Sequence, residues 1–586
     1  MRPLTARDGD APVAIDLDTA WIGVNERDEA EALRTESGSY VASAINARFR
    51  GRKVETRAGW APVAQFSAQD AGPDTLGTGL FVDAFSREWL VHLQWVSVSV
   101  LSLRVLVLRV GSDGVEPKQL GGYIPESASL PEPQRMSLTQ AEDEVVVWRG
   151  LDLPPLHWRA PAGFPLLWTE GQEQTFVQAA PQSDAPGYAE YLSPLPAAEF
   201  GLYAAGRVVF PFEDGIGYTD IAAPRRWDAD LSRVPVGGAG RVTGLAWWRG
   251  RALLVFKERS VWALDGFTGD LADMSLTLLT DQAGCIAQAT VTQVGGDVLF
   301  LGRGGVYRLT DVQDGGRQLS PLPVSWRIPK TMDRVNWSYA HLARATLADG
   351  LWYLALPLDG AAVCNALLVY DTVTEQWQGQ DVIEGPLALA EITGLVTTQV
   401  FGRETPVLTG REVTAPGDAR TLCGGHGWHD GLGSGDIRTE VVFRGYALED
   451  AGLKTLRGLE VLTEELGTVV SLDARTAGQS PWQPVQSART RSASRWMNFN
   501  HAARDLTNAN DDARSPLRED YTWTLSDNAM LKTGIPLGMR QRHKLGGMVR
   551  GVSVWVQPRV TCTRGRLTVH AVRASGTKAR DWARPQ

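Results

Sequence analysis

Cys423, His426 and His429 stand at the one metal-like spacing in the chain, a thiol and two imidazoles at intervals of three that could together hold a zinc ion. Asp430 is the only evident fourth ligand, and glycines fill much of the stretch from Gly424 to Gly435. Such a run serves as a flexible interdomain linker, and that reading is the one adopted.

Hydrolytic chemistry finds no constellation. Neither a G-x-S-x-G elbow nor an H-E-x-x-H pair occurs, and the eight histidines are scattered, with no base beside an obvious nucleophile. Carboxylate pairs such as Asp511 with Asp512 carry little weight among 67 acidic residues. Gly302-Arg303-Gly304-Gly305 has the composition of a phosphate loop, yet it joins strand to strand, so no helix N-terminus stands behind it to receive an anion. No catalytic residue, metal or cofactor is expected, and the chain is read as a non-enzyme.

The densest positive cluster is Arg48, Arg50, Arg52, Lys53 and Arg57. It is either a surface for an acidic neighbour or passing DNA, or a solvated hairpin with its charges outward. The chain as a whole is acidic, with 67 Asp and Glu against 58 Lys and Arg and a net charge of -9. Gripping nucleic acid along an outer surface needs clustered cations, so that class is disfavoured, whereas an acidic wall past which DNA slides is compatible.

These residues need a scaffold, and periodicity indicates an all-β one. Gly250-Arg-Ala-Leu-Leu-Val-Phe-Lys-Glu-Arg-Ser-Val-Trp-Ala-Leu264 is a strand, a tight polar turn and a second strand. Asp297-Val-Leu-Phe-Leu-Gly-Arg-Gly-Gly-Val-Tyr-Arg-Leu309 repeats that pattern about 45 residues on, the period of radially repeated blades. The recurring motif positions are Phe256, Lys257, Glu258, Arg259, Ser260 and Trp262 in one copy, Gly305 and Tyr307 in the other. Candidate blades centre on Leu80 to Val110, Met136 to Trp158, Phe200 to Trp227, Arg241 to Leu264, Ala287 to Leu309, Leu342 to Trp377 and Ile392 to Leu422, a β-propeller of about six or seven blades. Many of the 21 tryptophans fall at strand ends, where wide rings fill the gaps between stacked blades.

At 586 residues the chain exceeds a single core and divides into an extended N-terminal arm (1–75), the propeller (76–435) and a C-terminal β-sandwich-like antiparallel domain (436–586). The four cysteines lie far apart without a C-x-x-C pair, so no disulfide framework is indicated. Residues 1–10 carry charges and no apolar run, unlike a secretory leader, and Trp89 to Val110 alternates with the period of strands rather than spanning a membrane.

One resemblance spans most of the chain. Gly23-Val24-Asn25, Tyr40-Val41, Asn46-Ala-Arg-Phe49 and Thr56-Arg-Ala-Gly59 resemble the opening of bacteriophage virion propeller proteins. The likeness continues through Leu254 to Ser260, Gly284-Cys285, Gly304-Gly-Val-Tyr307 and Arg518-Glu-Asp-Tyr521. It is to the tail nozzle, or tail tubular protein B-like, family of short-tailed phages. What the resemblance implies is a structural virion protein made in the host cytoplasm, forming a homo-oligomeric, usually hexameric, ring at the tail. The ring channels or gates DNA without reading its sequence and attaches tail-tube, adaptor or fibre proteins. In that setting Asn46, Arg48, Phe49, Arg50, Arg52 and Arg57 form a candidate interface arm. The alternative is a carbohydrate-binding or glycan-processing propeller at the host-recognition end of a tail, suggested by the tryptophans.

Overall fold

Runs of apolar residues bounded by glycine- and aspartate-bearing turns become strands buried on both faces, because each is covered by a neighbouring sheet. The computed structural model describes residues 14–27, 33–66, 74–83, 86–97, 101–111, 114–118, 123–125, 135–159, 177–178, 195–268, 273–311, 317–320, 322–400, 403–413, 419–425, 437–447, 454–476, 481–489, 496–498, 534–536, 541–547 and 552–578. These fall into two units, one of residues 61–373 and 387–425, the other of residues 1–60, 374–386 and 426–586.

The 61–373 and 387–425 unit is a propeller. Seven antiparallel sheets follow one another along the chain. Their innermost strands are Asp74–Val82, Ser137–Ala141, Leu202–Ala204, Val242–Trp248, Thr292–Val294, Arg344–Ala348 and Leu389–Val400. Each lies against the next, and Leu389–Val400 lies against Asp74–Val82, so the ring closes. A second closure comes from the outermost strand of the seventh sheet, Ala61–Phe66, which precedes the first blade in sequence and pairs antiparallel with Ala419–Cys423. Of the two blade counts open from sequence, the structure takes seven.

The repeated segments occupy equivalent places. Ala252–Lys257 with Val261–Asp265, and Asp297–Gly302 with Gly305–Asp311, are the central hairpins of the fourth and fifth blades. Successive side chains of a strand point to opposite faces. Leu253 and Val255 therefore enter one core with Val209 and Ile216 of the third blade, while Leu254 and Phe256 enter another with Val298 and Phe300 of the fifth. Trp148, Trp227, Trp248 and Trp352 are buried, as interblade packing requires, and Trp247 and Trp262 are packed at its margin. Trp89 to Val110 forms parts of two paired strands, Glu88–Ser97 and Leu101–Gly111.

In the other unit, two strands of 23 residues, Lys454–Thr476 and Val556–Lys578, pair along their length. Leu459, Val461, Val470 and Leu472 are buried while their neighbours are partly exposed, the period-two signature of a sheet with one covered face. The sequence divides this ribbon into shorter strands around Gly467, but a shift of register between Leu466 and Val469 carries the chain through without a turn.

The expected division of the chain is corrected here. Residues 1–60 are not a separate arm: Ala14–Asp18 and Lys53–Thr56 pair with Val556–Lys578, and Ser43–Ile45 pairs with Thr439–Val442. Strand Gln376–Asp381 groups with this unit and pairs parallel with Ser43–Ile45. The physical reason is that these short strands bury apolar residues only by extending a sheet assembled from distant parts of the chain. Arg518 to Tyr521 lies outside the described residues.

Candidate functional site

The polar residues of the N-terminal signature converge on one buried lock. Arg48 donates from both terminal nitrogens to the two carboxylate oxygens of Asp381, at 2.7 and 2.6 Å. Arg57 Nε donates to Asn46 Oδ1 at 2.8 Å, and its Nη2 donates to the Val382 carbonyl at 3.0 Å. Asn46 takes the left-handed conformation at φ 55°, which Asn tolerates better than most side chains. Its Oδ1 also accepts from Val382 N at 2.8 Å, and its Nδ2 donates to the Arg438 carbonyl at 2.7 Å. Phe49 N donates to Gln378 Oε1 at 2.7 Å. Thr56 Oγ1 accepts from Leu567 N and from Thr439 Oγ1, both at 3.0 Å.

This corrects the reading of the basic cluster as one surface. Asn46, Arg48, Phe49 and Arg57 are buried and hold three stretches of chain together, leaving Arg50 and Arg52 exposed at the hairpin tip and Lys53 half-buried. An arginine with a bidentate carboxylate partner belongs to the interior as a satisfied ion pair.

A third buried arginine sets the orientation of strand Ala14–Asp18. Arg444 makes four hydrogen bonds of 2.6 to 3.1 Å to the carboxylates of Asp16 and Asp18, and its guanidinium lies 4.1 Å from the Tyr446 ring centroid. Burial disfavours its charge, but the two aspartates outweigh that and hold its pKa above the ordinary arginine value. Because Asp16 and Asp18 point inward, Ile15 and Leu17 point outward, 41% and 45% exposed. Among the described residues this strand pairs on one side only.

The propeller motif residues are structural. Phe256 is buried, 5.0 Å from the Phe300 ring. Lys257 Nζ donates to the carbonyls of Val236 and Gly238 at 2.7 and 3.0 Å, and burial holds its pKa below the usual value. Glu258 pairs with Arg303 at 2.7 Å on the surface, where Arg259 is exposed. Ser260 Oγ accepts from Trp262 Nε1 at 3.1 Å, and Tyr307 stacks on Phe300 at 5.9 Å. At Gly305 a Cβ would lie 2.5 Å from Ser325 Oγ, so that hydroxyl, which accepts from Val306 N, would have to move to admit one. Of the cysteine and histidine cluster, Cys423 is buried in strand Ala419–Cys423; His426, His429 and Asp430 lie outside the described residues.

Sequence reasoning missed a concavity of the propeller. A cavity of about 480 Å³ opens where the inner strands of the second to sixth blades begin, lined by Arg135, Arg149, Glu199, Arg241, His341 and Arg344 among others. Arg135, ahead of the second blade, reaches the sixth, donating to the carbonyls of His341 (2.9 Å) and Leu342. Burial, with the Arg344 charge adding to it, pulls the Arg135 pKa down to about 9. Arg241 pairs with Glu199 at 3.2 Å. Arg344 has its Nε buried without a hydrogen-bond partner, and burial lowers its pKa as well. A signal was present in the sequence: an arginine stands at the entrance to the inner strand of the second, fourth and sixth blades.

No family model matches this sequence, and no curated protein matches it. Among solved structures the chain is similar to the N-terminal domain of Nup159, at 9% identity and TM-score 0.35, covering 65% of this chain and 99% of that one. It is similar also to the AfRom2 CNH domain, at 10% identity and TM-score 0.34, covering 63% and 98%. A third is the extracellular domain of a putative one component system, BT4673, from B. thetaiotaomicron, at 9% identity and TM-score 0.35, covering 78% and 60%. The chain is a seven-bladed β-propeller with an added antiparallel β unit, as its own sheets define.

Proposed function

We propose that this chain is a structural, non-enzymatic component of a bacteriophage tail, a homo-oligomeric ring at the nozzle or tail tip whose axis passes or gates DNA and whose rim holds other tail proteins. The observation that carries the reading is strand Ala14–Asp18. It turns Asp16 and Asp18 inward to Arg444 and leaves Ile15 and Leu17 on the outside, beside an edge with no further strand among the described residues. A sheet edge bearing outward apolar residues is a template for pairing, and a second copy of the chain is the occupant that a ring supplies. Support also comes from the resemblance of the N-terminal signature to that of virion propellers, since Asn46, Arg48, Thr56 and Arg57 build the sheet that this strand extends.

The test is imaging and mass measurement of the purified full-length chain. A closed ring with rotational symmetry and an open axis is expected, and Leu17→Lys should shift it to monomers. A wild-type chain that stays monomeric at micromolar concentration, or a Leu17→Lys chain that assembles normally, would overturn the reading.

A further inference from the structure

We propose that the cavity at the head of the propeller's inner strands binds a small molecule bearing one acid group, a carboxylate or a phosphate, held between Arg344 and Arg135. The site goes beyond the ring reading, and either can fail without the other.

Arg344 carries the argument. Its Nε is sealed from solvent with no hydrogen-bond partner, and among the described residues no hydrogen bond or ion pair engages its guanidinium. Arg344 is half-buried, and a cation partly withdrawn from water without a partner is costly unless something fills its place. Arg135 compounds the cost, for its charge lies close enough to repel that of Arg344, while its bonds to the His341 and Leu342 carbonyls hold it in place. Glu391 acts on Arg344 as a nearby charge but forms no ion pair with it. Arg344 supplies a planar donor fork, the geometry that recognises carboxylate and phosphate oxygens, and Arg135, its fork engaged by the two carbonyls, supplies the adjacent positive charge.

Volume and lining set the rest of the ligand. About 480 Å³ lies within the range of small-molecule sites and exceeds what a bare oxyanion fills. Phe200 and Leu151 give the cavity an apolar wall, while Glu199, occupied by Arg241, and Asp152 place negative charge elsewhere in the lining. A second acid group would meet those carboxylates, so a ligand of about monosaccharide size with its acid at one end fits best.

Isothermal titration calorimetry on the full-length chain tests this with inorganic phosphate, glucuronate, glucose 6-phosphate and glucose. Glucuronate or glucose 6-phosphate is expected to bind at least about tenfold more tightly than inorganic phosphate, with glucose silent. Whichever of the two acids wins tells carboxylate from phosphate. Arg344→Met should weaken that binding by about tenfold or more while the protein melts no lower than wild type, since the substitution removes an unpaired charge. Arg344→Lys, which keeps the charge and loses the fork, should weaken it too, and it serves as the test if the Met variant fails to fold. Absence of binding by both sugar acids at about 10 mM, or affinity unchanged in the Arg344 variant, would overturn the proposal.

Discussion

Arg48 and Asp381 lie 333 positions apart and share two hydrogen bonds of 2.7 and 2.6 Å inside the discontinuous unit. Arg57 Nε stands 3.9 Å from the same carboxylate, so Asp381 answers two buried guanidiniums at once. Removing that carboxylate takes the shared anion from two buried guanidiniums, whereas removing Arg48 leaves Asp381 with Arg57. Asp381→Asn is therefore expected to cost about 3–5 kcal/mol and Arg48→Met distinctly less, read from urea midpoints at pH 7. Equal costs, or a larger cost for Arg48→Met, would show that the aspartate is not the hub.

The turn after Ala252–Lys257 is closed from the side by Gly284. A Cβ added there would lie 2.0 Å from the Lys257 carbonyl oxygen and 2.7 Å from the amide nitrogens of Arg259 and Ser260. All three are backbone atoms, so no rotamer change relieves the clash. Gly284→Ala should destabilise the propeller by about 1–3 kcal/mol or more, and proteolysis should open the fourth and fifth blades first. A wild-type melting temperature in this variant would contradict the tight approach.

How far the fold is legible in the sequence follows from range. The blade hairpins are local: Leu254, Phe256 and Phe300 sit in apolar runs beside turn residues, and their strands lie where the periodicity puts them. Closure by Ala61–Phe66 and the pairing of Ala14–Asp18 with Val556–Lys578 are not local, and no short-range signal encodes a partner hundreds of residues away. The basic cluster misled for the same reason. Arg48 and Arg57 read as a surface patch until Asp381 and Asn46 are placed beside them. Arg135 and Arg344 went unnoticed as single residues because only the ring brings their blades together.

His92 makes the propeller acid-sensitive. Its ring is fully buried, with Nδ1 3.2 Å from Thr78 Oγ1, and burial lowers its pKa from 6.5 to about 4. Between those values the unfolded chain holds a proton at this position that the folded chain refuses, so stability falls as pH drops through the window and levels off below it. The full effect is about 3 kcal/mol. His157 is shifted down by burial as well, against the pull of Glu144, so it adds in the same sense. Urea midpoints measured from pH 7 to pH 4 should fall more steeply for wild type than for His92→Gln; parallel curves would remove His92 from the account.

The four cysteines supply a readout of both units. All are buried and unpaired in disulfides, and burial pushes the thiols of Cys285 and Cys423 up to about 12 and that of Cys364 up to about 11. Only the thiolate attacks a disulfide reagent, so at pH 8 these three are protected both by lack of access and by lack of charge. Cys285, Cys364 and Cys423 lie in the propeller unit, and Cys562 lies in the long strand Val556–Lys578 of the other. The native chain should therefore react with an aromatic disulfide at none of its four thiols within minutes, and with all four in denaturant. At intermediate urea the order of labelling reports which unit opens first. If Asp381 is the hub of the discontinuous unit, Asp381→Asn should expose Cys562 at lower urea than wild type while leaving the other three shielded. Simultaneous labelling of all four in that variant would instead mean that the two units unfold as one.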